Sequence, residues 1–503
     1  MAINYISTRG TTEPVSASGA IINGIAPDNG LYVPERFPKM DFTLGELAAF
    51  DYRETAFRVL RLFLTDFTDA EIRAAVDSAY DGKFATDSRG LRRELSSDVA
   101  PLTSAAGLRF LELYHGPTLA FKDMALSILP RLMRLAAAKR GVSKRVMILT
   151  ATSGDTGKAA LAGFAGAEGV DIAVFYPSEG VSPAQKLQMT TQEGGNVAVA
   201  GIIGNFDDAQ TGVKALFTDP DFVAEMSGRG YAFSSANSIN IGRLVPQVAY
   251  YFHAYAEMCR AGALSPGERL GFTVPTGNFG NILAAYYAGR IGLPIGKLVC
   301  ASNSNKVLFD YFKTGEYNTN RVFTPTASPS MDILVSSNFE RYLYHKTGSA
   351  EAVRAAMGGL GAEGRYVLPD SGEVFFGEYA TEPETFAAIR DVFGGGALID
   401  PHTAVAVHAC REYRAETGDD TPNVIVATAS PFKFAASVLE AVTGAAPEVS
   451  GVSGAIEELS RVTGVPAPAS LLELQGKRVL HPDVIEKDGM EAFVRAFASR
   501  RNY

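Results

Sequence analysis

The sequence predicts an α/β fold with two open twisted sheets flanked by helices, plus a mostly helical N-terminal subdomain. From about residue 99 onward, apolar segments of strand length alternate with helical patterns of about 10–15 residues, which is typical of βαβ units and parallel sheets. Glycine-rich turns follow several of these segments, and open parallel sheets bind ligands at such turns. Before residue 99 the patterns are amphipathic and helical, as in Glu46–Leu64.

Segments rich in apolar and β-branched residues predict the individual elements in order. The predicted strands are Arg109–Tyr114, Arg145–Thr150, Asp171–Tyr176, Asn196–Val199 with Ile202–Ile203, Leu270–Val274, Gly296–Ala301 and Asn423–Thr428. The predicted helices include Leu119–Lys139, Gly157–Glu168 and Asn281–Ile291. Clusters of Asn, Thr, Ser and Pro in residues 303–345 predict an insertion that lies over a sheet.

These patterns divide the chain into an N-terminal subdomain and two α/β domains. We expect the N-terminal subdomain to span residues 1–98 and the smaller α/β domain to span residues 143–239. The larger α/β domain would combine residues 99–142 with residues 240–503. This division agrees with the two or three domains that 503 residues predict at about 150 residues each.

Composition excludes several classes of protein. Hydrophobic residues make up 47% of the chain and charged residues 20%, which is ordinary for a globular protein. The net charge of −9 provides no basic surface for nucleic acid or anionic membrane. Three widely spaced cysteines form neither a disulfide framework nor a metal-binding pattern. We therefore expect a cytoplasmic protein with no metal, nucleic-acid partner or membrane partner.

A lysine in apolar surroundings is the first candidate for chemistry. Lys122 lies in the segment His115–Asp123, beside Leu119, Phe121 and Met124. Desolvation favours the neutral amine, which can attack a carbonyl carbon. For this segment alone, a lysine that lies along a helix surface is the alternative.

Two glycine-containing loops predict anion sites after strands. Thr150–Lys158 combines hydroxyls with the amides that open a helix, although a plain turn is the alternative. Thr276–Asn281 has two glycines and no lysine or arginine, so amides and hydroxyls would hold a phosphate there.

Two further segments offer polar side chains to a ligand. Thr428 could present its hydroxyl to a ligand edge, or could bond a backbone carbonyl instead. In Ser234–Arg243, the guanidinium of Arg243 suits an anionic oxygen group, and a structural arginine is the alternative. A nucleophilic lysine, a phosphate loop and a hydroxyl near a ring edge together are what a pyridoxal phosphate site requires.

The chain resembles the threonine synthases, in the long-chain branch found in fungi and many bacteria. The resemblance runs essentially end to end. It rests on Tyr5–Gly10, Gly30–Pro34, His115–Asp123, Ser153–Gly157, Asn237–Arg243, Gly277–Asn281, Asp400–Thr403 and Thr428–Phe434. It implies a fold-type II pyridoxal phosphate enzyme, similar to the tryptophan synthase β subunit, with the cofactor between a large and a small domain.

The resemblance also implies roles for individual residues. Lys122 would bind the cofactor covalently and act as the catalytic residue. Other residues would contact the cofactor, namely Gly277, Asn278, Phe279, Gly280 and Asn281 at its phosphate and Thr428 at its pyridine nitrogen. A third set would contact the substrate, namely Ser153, Gly154, Asp155 and Thr156 near its carboxylate and the ring hydroxyl, and Asn237, Ser238 and Arg243 at its phosphate.

Three side chains in these segments raise separate questions. Asp155 would have a raised pKa if it lies beside the ring hydroxyl, because the two negative charges repel each other. For His115 and His402, positioning of loops and acid–base chemistry are both open.

The implied reaction converts O-phospho-L-homoserine and water into L-threonine and phosphate. A phospho-lyase and a serine or threonine dehydratase on the same scaffold are alternatives. From a different class, a non-catalytic metabolite-binding protein is a further alternative, against which the intact Lys122 argues. The sequence leaves both a monomer and a homodimer open.

Overall fold

The computed structural model describes residues 2–82, 84, 99–152, 154–179, 181–448 and 451–500. Its N-terminal part consists of β1 (Tyr5–Ser7), α1 (Ala17–Asn23), β2 (Tyr32–Pro34), α2 (Leu44–Leu47), α3 (Tyr52–Phe63) and α4 (Asp69–Tyr80). The helical pattern at Glu46–Leu64 is divided between α2 and α3. The division occurs because Asp51 caps a new helix by accepting a hydrogen bond from the Glu54 amide.

The central part carries most of the predicted alternation. Its elements are β3 (Leu102–Ala105), β4 (Leu108–Glu112), α5 (Lys122–Leu126), α6 (Leu129–Lys139), β5 (Arg145–Ala151), α7 (Asp155–Phe164), β6 (Val170–Pro177), α8 (Pro183–Thr190), β7 (Val197–Ile202), α9 (Phe206–Thr218), α10 (Pro220–Gly228), β8 (Tyr231–Ser234) and α11 (Ile241–Arg260). The single helix predicted at Leu119–Lys139 is wrong. Leu119 has a φ of 58°, and Pro130 stands in the first turn of a second helix, where it lacks the amide that a continuous helix needs.

The C-terminal half continues the pattern with longer interruptions. Its elements are β9 (Leu270–Pro275), α12 (Gly280–Ile291), β10 (Ile295–Ser302), α13 (Val307–Thr314), β11 (Glu316–Asn318), α14 (Phe339–Thr347), α15 (Ala350–Glu363), β12 (Arg365–Val367), β13 (Phe375–Tyr379), α16 (Glu382–Gly394), α17 (Pro401–Thr417), β14 (Asn423–Ala427), α18 (Ala435–Thr443), α19 (Gly451–Thr463), α20 (Ala469–Leu472), β15 (Val484–Ile485) and α21 (Met490–Ser499). Residues 303–345 thus contain α13, β11 and most of α14. None of these helices, nor any other in the described residues, is long and apolar enough to cross a membrane.

Two open sheets organise the molecule, as predicted. In the described residues the larger sheet has the order β13-β10-β9-β14-β4-β3, and only the pairing of β3 with β4 is antiparallel. The smaller sheet has the order β15-β7-β6-β5-β8 and is parallel throughout. Every residue of β6 is buried, as expected for a parallel strand covered on both faces. Loops at the carboxyl ends of these strands carry the candidate site.

The end of the chain joins the smaller sheet. β15 pairs with β7, and Met490, Val494 and Phe497 of α21 pack into the core of that sheet. This segment lies within residues 240–503, which the sequence assigns to the larger domain. The proposed domain limits therefore leave out a C-terminal contribution to the smaller sheet.

A buried arginine links three distant parts of the fold. Arg341, on α14, is fully buried. Its Nε donates to the Tyr32 carbonyl at 2.9 Å, and its terminal nitrogens donate to Asn338 and to the Ile239 carbonyl. The N-terminal part, α14 and the segment that enters α11 are thereby held together.

Candidate active site

Lys122 is the first residue of α5 and lies beside the end of β14. The backbone amide of Phe121 donates to the Thr428 carbonyl at 2.8 Å, and the Ser430 amide donates to the Leu119 carbonyl at 3.1 Å. These two hydrogen bonds join the segment that leads into Lys122 to the segment that contains Thr428. The sequence prediction that both belong to one site is consistent with this geometry.

The Lys122 amine lies between the two sheets. Its Nζ donates to Ser330 Oγ at 3.3 Å and lies 3.6 Å from Asp155 Oδ2. Burial lowers the pKa of the Lys122 amine, Asp155 opposes this change, and the positive charges of Lys433 and Arg243 reinforce it. An amine with a lowered pKa is more often neutral and can act as a nucleophile.

The loop between β9 and α12 is shaped by a close backbone approach. A Cβ atom on Gly277 would lie 2.5 Å from the Ser330 carbonyl oxygen, so only glycine fits there. Phe279 has a left-handed conformation, with a φ of 62°, immediately before α12 begins at Gly280. Asn338 fixes the loop by donating from Nδ2 to the Asn278 carbonyl at 3.0 Å. The first-turn amides of α12 have no partner within the helix, so they could hold an anion.

The Asn281 side chain faces away from these amides. Its Oδ1 accepts hydrogen bonds from the Tyr250 and Tyr251 hydroxyls of α11, and its Nδ2 is buried without a partner in the described residues. Asn281 can therefore contribute its backbone amide to the anion site, while its side chain attaches α12 to α11.

On the smaller sheet, the turn before α7 brings a carboxylate to Lys122. Gly154 has a φ of 138°, and a Cβ there would lie 2.4 Å from the Gln185 side chain. Asp155 Oδ1 accepts from Lys433 Nζ at 2.5 Å and from Gln185 Nε2 at 3.0 Å. Thr156, next along α7, is half-buried, and Ser153 lies outside the described residues.

The charge of Asp155 is set by its lysine neighbours. Burial alone would raise the pKa of the Asp155 carboxyl, but Lys433 and Lys122 outweigh burial and hold that pKa below its usual range. The raised pKa expected beside a ring hydroxyl is thus opposed by two lysines. Sequence patterns had not placed Lys433 here.

Arg243 is a second, separate candidate for holding an anion. It lies in the first turn of α11 and is 3% exposed, and one terminal nitrogen donates to the Ala236 carbonyl at 2.7 Å. Its Nε and the Asn237 Oδ1 are buried without hydrogen-bond partners in the part of the chain described here, and Ser238 nearby is half-buried. Burial lowers the pKa of Arg243 to about 10. A buried guanidinium with an unsatisfied N–H is costly, which favours an anionic ligand at this position.

Ser330 and Lys433 contact the candidate site, although the sequence analysis assigned neither a role. Ser330 lies in the polar segment 303–345, where no motif indicated chemistry. Its amide donates to His402 Nε2 at 3.1 Å, and His402 Nδ1 lies 2.7 Å from Asp400 Oδ1. His402 therefore accepts at Nε2 and positions Ser330 against Lys122. His115 is paired with Glu112 at 2.8 Å instead.

Comparisons with known proteins agree with this geometry. The family model described as pyridoxal-phosphate dependent enzyme matches residues 100–378. Models described as threonine synthase N terminus and threonine synthase, C-terminal match residues 4–80 and 403–474. A threonine synthase from Pseudomonas aeruginosa is 41% identical over 457 residues, which are 88% of this chain and 92% of that protein.

Solved structures show the same relationship. The pyridoxal-phosphate-bound threonine synthase from Brucella melitensis has a TM-score of 0.84 and 37% identity, covering 99% of this chain and 100% of that one. The yeast threonine synthase has a TM-score of 0.85 and 31% identity, covering 99% of each chain. The chain therefore belongs to the threonine synthase family of pyridoxal-phosphate-dependent enzymes.

Proposed function

We propose that this protein converts O-phospho-L-homoserine and water into L-threonine and inorganic phosphate with pyridoxal phosphate as its cofactor. The observation that carries the proposal is one buried amine, Lys122, with unpartnered donors in two separate places, the first-turn amides of α12 and the Arg243 guanidinium. The amides at the start of α12 suit a phosphate that stays bound, because no charged side chain holds it there. Arg243 suits a phosphate that arrives and leaves with the substrate.

The residues of the site fit pyridoxal phosphate. The Ser330 carbonyl closes one wall of the α12 loop at Gly277, and Ser330 Oγ contacts the Lys122 amine. Ser330 therefore contacts both Lys122 and the loop. One ligand can then reach both, with its aldehyde at Lys122 and its phosphate at the loop. We assign the phosphate to the amides of Gly277–Asn281 and the ring nitrogen to Thr428. When bound, the cofactor supplies an electron-withdrawing ring that stabilises negative charge next to the substrate amine.

In this proposal Lys122 moves the protons. With its amine free and neutral, Lys122 would take a proton from the substrate Cα and later return it. Its long flexible stem and its lowered pKa suit repeated transfers. Arg243, Asn237 and Ser238 hold the departing phosphate. Gly154 and Thr156, with the α7 amides and Ser153, orient the carboxylate end of the substrate, and Asp155 would lie on the side of the ring hydroxyl.

Water must be admitted only after the phosphate has left. We propose that residues 143–239, together with β15 and α21 of the same sheet, move as the smaller domain and close over the substrate, since Asp155 on that domain meets Lys122 on the larger one. We also propose that the protein acts in the cytoplasm as a monomer or homodimer, without nucleic acid or membrane. The free cysteines Cys259, Cys300 and Cys410 support a reducing compartment.

The test uses the purified full-length protein with pyridoxal phosphate and O-phospho-L-homoserine. We expect threonine and phosphate in equal amounts, and no threonine from Lys122→Ala. A keto acid with phosphate would indicate a phospho-lyase. A keto acid from serine or threonine would indicate a dehydratase, and cofactor binding without turnover a metabolite-binding protein.

Borohydride reduction and peptide mapping test the attachment site independently. We expect the reduced cofactor on Lys122, and a label on Lys158 or Lys186 would contradict the assignment.

A further inference from the structure

A second buried lysine contacts the same carboxylate as Lys122. Lys433 lies in the turn Pro431–Phe434 that follows β14 and is 4% exposed. Its Nζ donates to Asp155 Oδ1 at 2.5 Å and to the Thr118 carbonyl at 2.9 Å. No step of the proposed reaction uses Lys433. A lysine is almost never buried this deeply unless it is paired.

The two lysines compete for Asp155. Lys433 is 1.1 Å closer to the carboxylate than Lys122, at 2.5 Å against 3.6 Å, and it has a carbonyl as a second acceptor. Gln185 also donates to the oxygen that Lys433 binds, which fixes that side of the carboxylate. Lys122 is left with the weaker ion pair.

The other charged groups nearby do not compensate Lys122. The carboxylate oxygens of Asp123 accept from the Thr118 amide and hydroxyl, at 2.8 and 2.6 Å. Arg243 and Lys158 add positive charge around the pair, since Arg243 repels Lys122 and Lys433 repels Lys158. Positive groups therefore outnumber carboxylates, and the amine with the weakest pairing gives up its proton to solvent most easily.

We propose that Lys433 is a positioning residue that activates Lys122 by occupying Asp155. This role rests on the proposed function of Lys122 as the nucleophile. It differs from direct catalysis, because Lys433 acts on Lys122 through the carboxylate between them.

The experiment measures how easily Lys122 loses its proton. The full-length chain is freed of cofactor with hydroxylamine and labelled with trace acetic anhydride across a pH series, and mass spectrometry follows the Lys122 peptide. Only an unprotonated amine is acetylated, so the midpoint of the rate profile reports its protonation. In Lys433→Met we expect the midpoint to rise by at least about one pH unit, so that labelling at neutral pH falls at least about tenfold.

Two variants serve as controls, and a third stands in reserve for the test variant. Lys433→Arg keeps a cation on Asp155, and we expect its labelling rate within about threefold of the parent. Lys186→Met removes an exposed lysine and should leave the midpoint unchanged. If Lys433→Met fails to fold, Lys433→Gln replaces it, since its amide can still donate to the Thr118 carbonyl without carrying charge.

Two outcomes would overturn the proposal. One is an unchanged or lower midpoint in the folded variant that lacks the charge. The other is a shift of equal size when Asp155 is already Asn, which would show that Lys433 does not act through Asp155; we expect that shift to fall by at least half. Because no turnover is measured, a failure here is distinct from a failure to produce threonine.

Discussion

Arg243 is a buried cation whose Nε has no partner in the described part of the protein, and this property separates substrate from cofactor. Replacing it with leucine removes the charge and leaves an apolar side chain to fill the space in the first turn of α11. We expect Arg243→Leu to weaken phosphohomoserine binding by about 3 kcal/mol, as for a buried charge-assisted contact, while cofactor affinity is kept. Substrate KM and a cofactor titration measure the two effects. Equal losses in both would mean that Arg243 serves the cofactor phosphate.

Lys158 makes the stability of the folded state depend on pH. Burial lowers the pKa of Lys158 to about 8, and repulsion from Lys477 adds to burial. An unfolded lysine titrates near about 10.4, so between these values the unfolded chain holds more protons and stability from this group rises with pH. We expect Lys158→Met to be more stable than the parent in urea at about pH 7, and this advantage to shrink from about pH 8 upward and to be lost only above about pH 10.4. Parallel stability curves for the two proteins would contradict the expectation.

Among single residues, sequence patterns could indicate a role in the site only for those that lie in compact motifs. Lys122 and Gly277 each belong to a short segment whose composition already indicates chemistry. The contact between Lys433 and Asp155 joins residues far apart in the chain, and local patterns carry no information about such a pairing. Whether the pKa of Asp155 is raised or lowered depends on that pairing.

Among the elements, the β9–α12 loop has a backbone path that leaves no room for a side chain at Gly277. A Cβ at Gly277 would push the Ser330 carbonyl, and Ser330 also contacts Lys122. We expect Gly277→Ala to weaken pyridoxal phosphate binding at least about tenfold, because overpacking here displaces both walls of the site. An absorbance titration with the cofactor measures the effect.

Gly280 offers a matched control in the same loop. Its added Cβ would lie 3.5 Å from the nearest atom, which is an ordinary contact, and alanine keeps the backbone amide. Gly280→Ala should bind the cofactor within about threefold of the parent. Equal weakening by both substitutions would show that the close approach at Gly277 is not what shapes the site.

Predictability of the elements followed their length and regularity. Buried strands such as β5 and β6 are continuous apolar runs, so their positions were predicted to within one or two residues. The break between α5 and α6 was missed because the apolar pattern continues across it. β15 was missed because two residues, one of them exposed, have no periodicity to detect.

For the whole molecule, a substitution in α21 tests whether the stability of the smaller sheet depends on this helix. Phe497 is buried in the core of that sheet. We expect Phe497→Ala to lower the free energy of unfolding by about 3 kcal/mol, measured in urea, with faster hydrogen exchange in β6 and β7. Val484→Ala, at a side chain 49% exposed, should change it by less than about 0.5 kcal/mol. If Phe497→Ala lowered the free energy of unfolding as little as Val484→Ala, α21 would add nothing to the stability of this core.

The place of β15 at the edge of the smaller sheet also bears on how the protein is made. β8, the last of the other strands in that sheet, leaves the ribosome about 250 residues before β15, which corresponds to about 12–50 s at usual elongation rates. During that interval the edge of β7 and the apolar surface that receives Phe497 have no partner from their own chain. An open strand edge of this kind recruits strands from neighbouring chains. Nascent copies on one messenger are therefore exposed to mispairing, and a chaperone that covers β7 until β15 has been synthesised would raise the yield of native protein.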